Sequence, residues 1–417
     1  MQALILAAGQ SSRFYPLANG VHKSMTKVCG KPILEYTILG LEKCGIKNII
    51  IVSDTSQTIQ SYFGDGKKFN VSIQYVVQPV PLGAGNGLLL AEKYIKNDLL
   101  LLNSSHVDVE NFAKKLIDAK TKNNKGVLLV KEKENTWDNG VVKVSDGRIE
   151  DLIEKPKKGE EPSKLCVVGL YVFCREFLEE LRNTKEEHYQ LEKAISSFAK
   201  KNYINLVKTE EETVTLKYPW DLLKVKNYIL KNIKGSTGKN TNIAKSAEII
   251  GEVIIEDGAT IMEGAKIKGS CYIGKNSCIG NNVILRDGVD IGEDVVIGAY
   301  MEIKNSIIME KSKTHSGFIG DSVIGKNCRI AAQFSTANVR LDRSSVKVVV
   351  KGQEIDSSLK SLGMIIGDNV RIGIKSSTMP GIIIGQDALI GPSTIVFNNV
   401  DAKSRYYSKF QEIVVKK

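Results

Sequence analysis

Hydrophobic residues in the first part of the chain alternate between short apolar runs and helically spaced stripes. Runs such as ALILAAG, NIIIVS and LLLLN predict buried strands, and the stripe in ILEYTILGLEKCG predicts a helix that ends at Gly45. Later apolar segments, GVVKVS and VVGLYVF, predict added strands. This order predicts a Rossmann-like α/β domain over residues 1–232, with a mixed, mostly parallel sheet between helices.

A different repeat follows the Gly/Ser/Thr/Asn-rich segment at 233–242, which is predicted to be a linker. Over residues 243–417 an aliphatic residue followed by glycine recurs about every six positions, as in CYIGKNSCIGNNVILRDGVDIG. Each step predicts one strand of a triangular coil, with Gly or Asn at corners where left-handed backbone angles cost little. The repeat predicts a left-handed parallel β-helix, and its break at about 331–361 predicts an inserted loop.

Length and composition narrow the possible functions. The 417 residues suit two domains, and no apolar run approaches the roughly 20 residues of a membrane helix. The start, MQALILAAG, lacks the basic region of a signal peptide, so we expect a cytoplasmic protein without a membrane partner. The net charge of +11 is spread along the chain and aromatic content is 6%, which argues against nucleic-acid binding and suits small anionic ligands.

The glycine-rich start has the residue types of a phosphate-binding turn. In LAAGQSSRFYPLANGVHKSMTKVCGKP, small residues around Gly9 let backbone N–H groups approach an anion, and Arg13, Lys23 and Lys31 bring positive charge. The string is neither a Walker A loop nor GxGxxG. A structural turn before a helix explains Gly9 alone, but it does not explain the whole string.

These residues resemble the nucleotidylyltransferases that join a sugar 1-phosphate to a nucleoside triphosphate. The matching elements are Leu6-Ala7-Ala8-Gly9, Arg13, Lys23, Gly30-Lys31-Pro32, Gln78 before Leu82-Gly83-Ala84, Gly140, Glu154-Lys155-Pro156 and Pro219-Trp220-Asp221. With the β-helix attached, the chain resembles the bifunctional N-acetylglucosamine-1-phosphate uridylyltransferase/glucosamine-1-phosphate N-acetyltransferase family in its shorter archaeal form.

The resemblance implies attack of a sugar 1-phosphate on the α-phosphate of a UTP-like nucleotide, with Mg²⁺ as the cofactor. It implies catalytic roles for Arg13 and Lys23. The implied nucleotide-binding residues are Leu6, Ala7, Ala8, Gly9, Gln78, Gly83 and Ala84. The implied sugar-phosphate-binding residues of this domain are Gly140, Glu154 and Lys155.

The metal ligands of the family are replaced in this chain. Ser105 and Thr215 stand where the family has two aspartates, and their neutral hydroxyls bring no charge to attract Mg²⁺. Asp108 lies three residues further, about 10 Å of extended chain, and His106 is a poor magnesium ligand. Val167 stands where the family has an asparagine. Two interpretations stay open: a weak or silent nucleotidylyl site, or an active one with a rearranged metal site.

The resemblance also implies an acetyltransferase site in the β-helix. His315, in KTHSGFIGDS, is the expected general base for the amine of an amino-sugar phosphate, and Asn338 is expected beside that amine. Arg286, Lys304 and Lys347 are expected to bind the sugar phosphate. The expected donor is acetyl-coenzyme A, bound between the subunits of a homotrimer. Phe318 replaces a tyrosine, which removes one hydrogen bond worth about 1 kcal/mol.

A second hypothesis belongs to a different class of function. The chain would be a non-catalytic protein that binds a nucleotide or a sugar phosphate for regulation, with a β-helix that only forms the trimer. The loss of the two aspartates favours this hypothesis, whereas the retained His315, Arg286, Lys304 and Asn338 oppose it. Fold alone does not decide between the two.

Overall fold

The computed structural model describes residues 1–17, 20–411 and 413–415, and the chain forms two compact units. The first unit comprises Met1–Gln10, Gly20–Thr26 and Pro32–Thr215. The second comprises Ser11–Asn19, Lys27–Lys31 and Leu216–Lys417. The domain boundaries predicted from the sequence, at 232 and 243, stay a prediction.

Strands and helices alternate through residues 1–232. The strands are β1 (Gln2–Ala7), β2 (Lys27–Val28), β3 (Lys31–Pro32), β4 (Asn48–Ser53), β5 (Ser72–Val77), β6 (Leu99–Asn103), β7 (Gly126–Glu132), β8 (Gly140–Ser145), β9 (Arg148–Glu154), β10 (Leu165–Phe173) and β11 (Ile204–Lys208). The helices are α1 (Ile33–Lys43), α2 (Thr58–Phe63), α3 (Ala84–Leu90), α4 (Val109–Ala119), α5 (Phe177–Asn183), α6 (Gln190–Lys201) and α7 (Asp221–Lys231). Helix α7 belongs to the second unit.

The sheet of the first unit is mixed, as predicted. Its strand order is β5-β4-β1-β6-β10-β7-β11-β9-β8. Strands β5, β4, β1 and β6 are parallel, whereas β10 runs antiparallel to both of its main neighbours. The predicted α/β class is therefore confirmed.

The four-leucine run of β6 is apolar because both faces of the sheet are covered. Leu101 packs with Leu4 in one hydrophobic cluster, and Leu100 and Leu102 pack with Ile5 in another. Successive side chains of a strand point to opposite faces, so a strand without polar positions requires two covered faces. Burial of each such leucine contributes about 1.5–3 kcal/mol to the free energy of unfolding.

The first predicted helix is present, and it ends two residues before the predicted Gly45. Helix α1 ends at Lys43, and Gly45 has a φ of 78°. The Ile46 N–H donates to Leu41 O at 3.0 Å, and the Gly45 N–H donates to Glu42 O at 2.8 Å. This pair of bonds is the Schellman motif, which needs a left-handed residue and therefore favours glycine.

The second unit is a left-handed parallel β-helix, as predicted. Its strands are β12 (Ser236–Thr237), β13 (Asn242–Ile243), β14 (Glu248–Ile250), β15 (Val253–Ile255), β16 (Thr260–Ile261), β17 (Lys266–Lys268), β18 (Cys271–Ile273), β19 (Cys278–Ile279), β20 (Ile284–Arg286), β21 (Asp290–Ile291), β22 (Val296–Ile297), β23 (Met301–Lys304), β24 (Ile307–Ile308), β25 (Lys313–Thr314), β26 (Gly317–Gly320), β27 (Val323–Ile324), β28 (Arg329–Ile330), β29 (Phe334–Thr336), β30 (Lys347–Val350), β31 (Gln353–Asp356), β32 (Met364–Ile366), β33 (Arg371–Ile372), β34 (Ser377–Thr378), β35 (Ile382–Ile384), β36 (Leu389–Ile390), β37 (Ile395–Val396) and β38 (Arg405–Tyr406). Apart from the β30–β31 hairpin, these strands form the three parallel sheets of a triangular coil.

Aliphatic side chains stack from coil to coil inside the β-helix. Ile255 pairs with Ile273, eighteen residues later, and Ile273 pairs with Ile291. The buried column continues through Ile308, Ile324, Ile366 and Ile384. Asparagine and aspartate occupy left-handed corners, for example Asn276 with a φ of 56°. These contacts explain the six-residue repeat, since each step places one aliphatic side chain inward.

The interruption of the repeat forms a hairpin. Strand β29 continues the coil to Thr336, and β30 then pairs antiparallel with β31 before the coil resumes at β32. Within residues 1–17, 20–411 and 413–415, no helix is long and apolar enough to cross a membrane.

Candidate active sites

The carboxyl ends of parallel strands meet at one edge of the first unit's sheet. Leu6 of β1 lies in register with Asn103 of β6 and with Val52 of β4. The chain continues through buried Ala8 to Gly9, where an added Cβ would meet no described atom within 4 Å. The predicted nucleotide-binding residues Leu6, Ala7, Ala8 and Gly9 therefore lie at the edge where ligands of such sheets bind.

Gln78 and Gly83 also lie together in the first unit. The buried Gln78 follows β5, and its Nε2 donates to Gly83 O at 3.0 Å and to Asn86 Oδ1 at 2.9 Å. Gly83 has a φ of 112°, and a Cβ there would lie 2.6 Å from His188 O. Only glycine fits that position, and the helix α3 begins immediately afterwards at Ala84.

The residues predicted to bind the sugar lie on the β8–β9 hairpin. Gly140 pairs with Glu154, and a Cβ on Gly140 would lie 2.8 Å from Glu154 Oε2 and 2.9 Å from Val167 Cγ2. A glycine is therefore needed for the Glu154 carboxylate to lie across β8. Lys155 donates through Nζ to the Tyr189 hydroxyl at 2.8 Å. The structure thus brings Gly140, Glu154 and Lys155 together.

Residues 186–189, which the sequence analysis did not predict, contact both the predicted nucleotide-binding residues and the predicted sugar-binding residues. Glu186 accepts from Asn86 Nδ2 at 2.9 Å, His188 places its carbonyl against Gly83, and Tyr189 receives the Lys155 ammonium. Burial raises the pKa of Glu192, in the first turn of α6, and the charge of Lys155 opposes that rise. Nothing in KEEHYQLEK distinguishes this segment from an exposed loop before a helix, so no sequence signal pointed to it.

The Ser104-Ser105-His106 segment is buried at the end of β6. His106 Nδ1 lies 3.0 Å from Asp108 Oδ1, and Asp108 Oδ2 accepts from the Val214 N–H at 2.9 Å. Both carboxylate oxygens of Asp108 therefore bind groups of the protein. Asp108 therefore fixes the loop between β6 and α4.

The remaining side chains here do not form a magnesium site made of carboxylates. Ser105 is 8% exposed, whereas Thr215 is an exposed residue. No group of three or more His, Cys, Asp or Glu residues is placed to hold a metal ion in the described part of the chain. Magnesium prefers hard, charged oxygen ligands, whereas the Ser105 and Thr215 hydroxyls are neutral. The replacement of the family's aspartates by these two residues stays a prediction.

Lys23 lies on a short 3-10 turn, Lys23–Met25, which begins after buried His22. The Ser24 N–H donates to His22 Nδ1 at 3.3 Å, and the Ser24 hydroxyl lies 2.7 Å from the same nitrogen. Nδ1 is therefore an acceptor, and the ring is neutral. Burial and the neighbouring Lys23 lower the pKa of His22 to about 4, although Asp54 opposes this shift.

His22 makes the first unit sensitive to acid. The unfolded imidazole binds a proton near its ordinary pKa of 6.5, but the folded one binds it only near 4, so the free energy of unfolding falls as the pH drops through this window. The loss amounts to about 3 kcal/mol at most. We expect His22→Asn, whose amide oxygen can accept the Ser24 N–H, to unfold with a smaller difference between about pH 7 and about pH 4.5. Urea unfolding at both pH values measures this, and equal losses in the two proteins would contradict it.

Arg13 belongs to the second unit, as does Lys31, whereas Lys23 belongs to the first. It is exposed on the 3-10 turn Ser12–Phe14, which follows Ser11 with a left-handed φ of 52°. Its predicted role beside Lys23 stays a prediction.

Two predicted phosphate-binding residues are neighbours on one face of the β-helix. Arg286 of β20 lies in register with Lys304 of β23, one coil away. The Arg286 guanidinium donates to Glu302 and to Asp287, both at 2.7 Å, and these carboxylates raise its pKa. Two cations on adjacent coils form a surface suited to a phosphate group.

Asp321 joins Lys304 to Asn338. This buried carboxylate follows β26, and its Oδ2 accepts from Asn338 Nδ2 at 2.5 Å and from Lys304 Nζ at 3.3 Å. Its Oδ1 accepts from Asn305 Nδ2 at 2.7 Å. The structure therefore brings two of the predicted residues together through a third that was not predicted.

His315 and Lys347 lie outside these contacts within one chain. His315 is exposed directly after β25, and its backbone N–H donates to Ile330 O at 3.0 Å. Lys347 lies at the start of the β30–β31 hairpin and pairs with Glu354 at 2.7 Å. Phe318 lies between His315 and Asp321 in sequence, and its ring is near Gly320, where a Cβ would lie 2.6 Å from Phe318 Cζ.

Family models match both halves of the chain. The nucleotidyl transferase model matches residues 2–221, and models of the bacterial transferase hexapeptide and of the succinyl-transferase hexapeptide repeat match residues 270–305 and 363–392. The chain belongs to the nucleotidyl transferase family. The predicted transferase class is therefore confirmed.

Relatives of this nucleotidyl transferase extend the match over its whole length. A protein named bifunctional protein GlmU from Methanococcus maripaludis is 35% identical over 100% of both chains. A protein named bifunctional sugar-1-phosphate nucleotidylyltransferase/acetyltransferase from Sulfurisphaera tokodaii is 33% identical over 96% of this chain and 98% of its own. The predicted bifunctional family is confirmed, and the non-catalytic hypothesis is not favoured.

One solved structure has a fold similar to that of part of this transferase. A Bacillus anthracis protein described as a glucose-1-phosphate thymidylyltransferase superposes with a TM-score of 0.50. It is 21% identical and covers 57% of this chain and 98% of its own. At this level of identity the likeness supports the α/β architecture alone.

Asp321 is the functional candidate that sequence reasoning missed in the β-helix of this transferase. It has a φ of 49°, and Asp287 and Asp294 occupy similar left-handed corners with φ values of 58° and 56°. In sequence all three read as corner residues of the repeat. Only the stacking of coils shows that Asp321 faces Lys304 and Asn338.

Proposed function

We propose that the second unit of this transferase acetylates the amine of an amino-sugar 1-phosphate with acetyl-coenzyme A. The observation that carries the proposal is the joined set of Arg286, Lys304, Asp321 and Asn338 on one face of the β-helix. The full-length match to proteins named as bifunctional supports it. We propose glucosamine 1-phosphate as the acceptor of the acetyl group.

The roles in this reaction follow from the chemistry of each side chain. Arg286 and Lys304 bind the phosphate, since their cationic groups lie on neighbouring coils. His315 takes the proton that the amine loses as it attacks the thioester carbonyl. Exposure of His315 and Lys347 within one chain suits a site that a neighbouring subunit completes. We therefore propose a homotrimer, with the coenzyme between subunits and Lys347 near the sugar phosphate.

We further propose that the first unit binds a UTP-like nucleotide and a sugar 1-phosphate but transfers the nucleotidyl group slowly. Leu6, Ala7, Ala8 and Gly9, with Gln78, Gly83 and Ala84, form the nucleotide side, and Gly140, Glu154 and Lys155 form the sugar side. Lys23 would stabilise negative charge on the phosphates. The reaction is slow in this proposal because Ser105 and Thr215 supply no charge for Mg²⁺.

Two assays with the full chain test the proposal. Glucosamine 1-phosphate and acetyl-coenzyme A are expected to release free thiol, detected with a chromogenic disulfide. UTP, Mg²⁺ and a panel of sugar 1-phosphates are expected to release pyrophosphate slowly. A protein that gives no product in either assay would contradict the proposal and would support a regulatory role instead.

A further inference from the structure

Asp321 is the point at which three side-chain donors converge inside the β-helix. The residue is 2% exposed, its backbone N–H donates to Lys304 O at 2.9 Å, and its carbonyl accepts from the Gly363 N–H at 2.9 Å. The carboxylate accepts from Asn305 on Oδ1 and from both Asn338 and Lys304 on Oδ2. An ionised carboxylate is an acceptor only, so it suits this set of donors.

The Asp321 carboxylate determines the orientation of the Asn338 side-chain amide. Because Asp321 offers only acceptors, Asn338 must turn Nδ2 toward it, and its Oδ1 points elsewhere. Gly320 makes the close approach possible, since a Cβ there would lie 2.9 Å from Asn338 Nδ2. The acceptor end of the Asn338 amide is therefore the end directed away from Asp321.

Asp321 is itself held from its other side. Asn305 donates to Oδ1 of Asp321, and Asn305 Oδ1 accepts from Lys226 Nζ at 2.8 Å. Lys226 is fully buried in α7 and also donates to Gly288 O at 2.5 Å and to Asn227 Oδ1 at 2.6 Å. One hydrogen bond of this ammonium thus holds Asn305 Oδ1, and Asn305 in turn donates to the Asp321 carboxylate.

We propose that Asp321 is a positioning residue for acetyl transfer, which it serves by orienting Asn338 so that Oδ1 accepts one hydrogen of the substrate amine. This inference rests on the proposed acetyltransferase function. A hydrogen bond on one N–H fixes the direction of the nitrogen lone pair, which must point at the thioester carbonyl. In the step a C–N bond forms and the C–S bond breaks, while the amine's second proton passes through His315 to the leaving thiolate. The products are the acetamide and the free thiol of the coenzyme.

The first test is Asp321→Asn. Asparagine has the same shape and tolerates the φ of 49° at this corner. Lys226 holds Asn305 Oδ1, so Asn305 keeps its Nδ2 toward position 321 and donates to the new amide oxygen. The new Nδ2 then faces Asn338, whose amide turns over and presents Nδ2 to the substrate. We expect kcat for acetyl transfer to fall about 100-fold, while KM for acetyl-coenzyme A stays within about twofold.

The second test exchanges the two side chains in Asp321→Asn with Asn338→Asp. The amide at 321 then donates to the carboxylate at 338, whose other oxygen again faces outward as an acceptor. We expect kcat to recover to within about tenfold of the starting protein, whereas Asn338→Asp alone places two carboxylates face to face and is slow. A merely structural role for Asp321 predicts no such rescue.

The control is Asp294→Asn, since Asp294 has a similar left-handed backbone and lies in a different coil corner. We expect it to keep the starting kcat. Circular dichroism and the thermal midpoint show whether each variant is folded. If Asp321→Asn does not fold, the proposal is tested with the exchanged pair, which keeps the hydrogen bond between positions 321 and 338. A starting protein that releases no thiol refutes the proposed function. An active protein whose Asp321→Asn variant keeps full kcat, or whose exchanged pair shows no rescue, overturns the positioning role.

Discussion

Replacement of His315 by alanine is expected to lower the rate of acetyl transfer by about 10²–10⁴-fold. The general base would be lost, so the attacking amine would have no positioned acceptor for its proton. The substitution keeps the fold, because His315 is exposed and is held by a backbone bond from its N–H to Ile330 O, which alanine retains. Thiol release from acetyl-coenzyme A in the presence of glucosamine 1-phosphate measures the effect.

A matched control comes from the same coil. Lys313 is exposed on β25, two residues before His315, and its backbone N–H donates to Cys328 O at 2.9 Å. We expect Lys313→Ala to keep the starting rate. If His315→Ala retained the full rate of thiol release, the base would have to be another residue and the proposed role of His315 would be wrong.

Introduction of two aspartates, as Ser105→Asp with Thr215→Asp, is expected to raise magnesium-dependent release of pyrophosphate by about 100-fold. Carboxylates attract a hard cation that the present hydroxyls do not, and charge stabilisation by a metal ion is worth several kcal/mol in phosphoryl transfer. Ser105 lies two residues beyond the end of β6, at the carboxyl edge of the sheet, where ligands of such sheets bind. The assay combines UTP, Mg²⁺ and a sugar 1-phosphate.

The control for this pair is Ser105→Asn with Thr215→Asn, which has the same shape without the charge. We expect it to leave the slow rate unchanged. A starting protein that already turns over rapidly, and that gains nothing from the aspartates, would instead support an active first unit with a rearranged metal site. Thermal midpoints of both pairs show whether a buried charge at position 105 affects folding.

Local sequence patterns were sufficient to predict those features of the fold that depend on a single helix, strand or repeat. The termination of α1 before Gly45 depends on a few neighbouring residues. The four leucines of β6 indicate that both faces of the sheet are covered, without indicating which elements cover them. The six-residue repeat predicted the β-helix because each strand needs only its own aliphatic residue and corner. In these cases the signal lies within about 20 residues of the structure that it predicts.

Contacts between segments that are distant in the chain could not be predicted from the sequence. Gly83 and Asn86 meet the segment around His188 across about a hundred positions, and no periodicity records such a meeting. Arg13 and Lys23 are ten residues apart in sequence, yet they belong to different compact units. Closeness along the chain is therefore a poor guide to which compact unit a residue belongs to.

The sequence by itself determined the architecture, which is an α/β sheet followed by a β-helix. In the β-helix, inward aliphatic residues recur about every six positions, and each turn of the coil contains three strands. The sequence was also sufficient to identify the family, because each of the family's motifs is a short, contiguous stretch of residues. Only the tertiary structure decided which polar groups face each other. Asp321 meets Lys304 because their strands stack, and it meets Asn338 because the inserted hairpin returns with the Leu362 N–H bound to Asn338 O at 2.8 Å. Hydrophobic burial is periodic and can be read locally, whereas the pairing of polar groups depends on how coils and insertions are brought together in space.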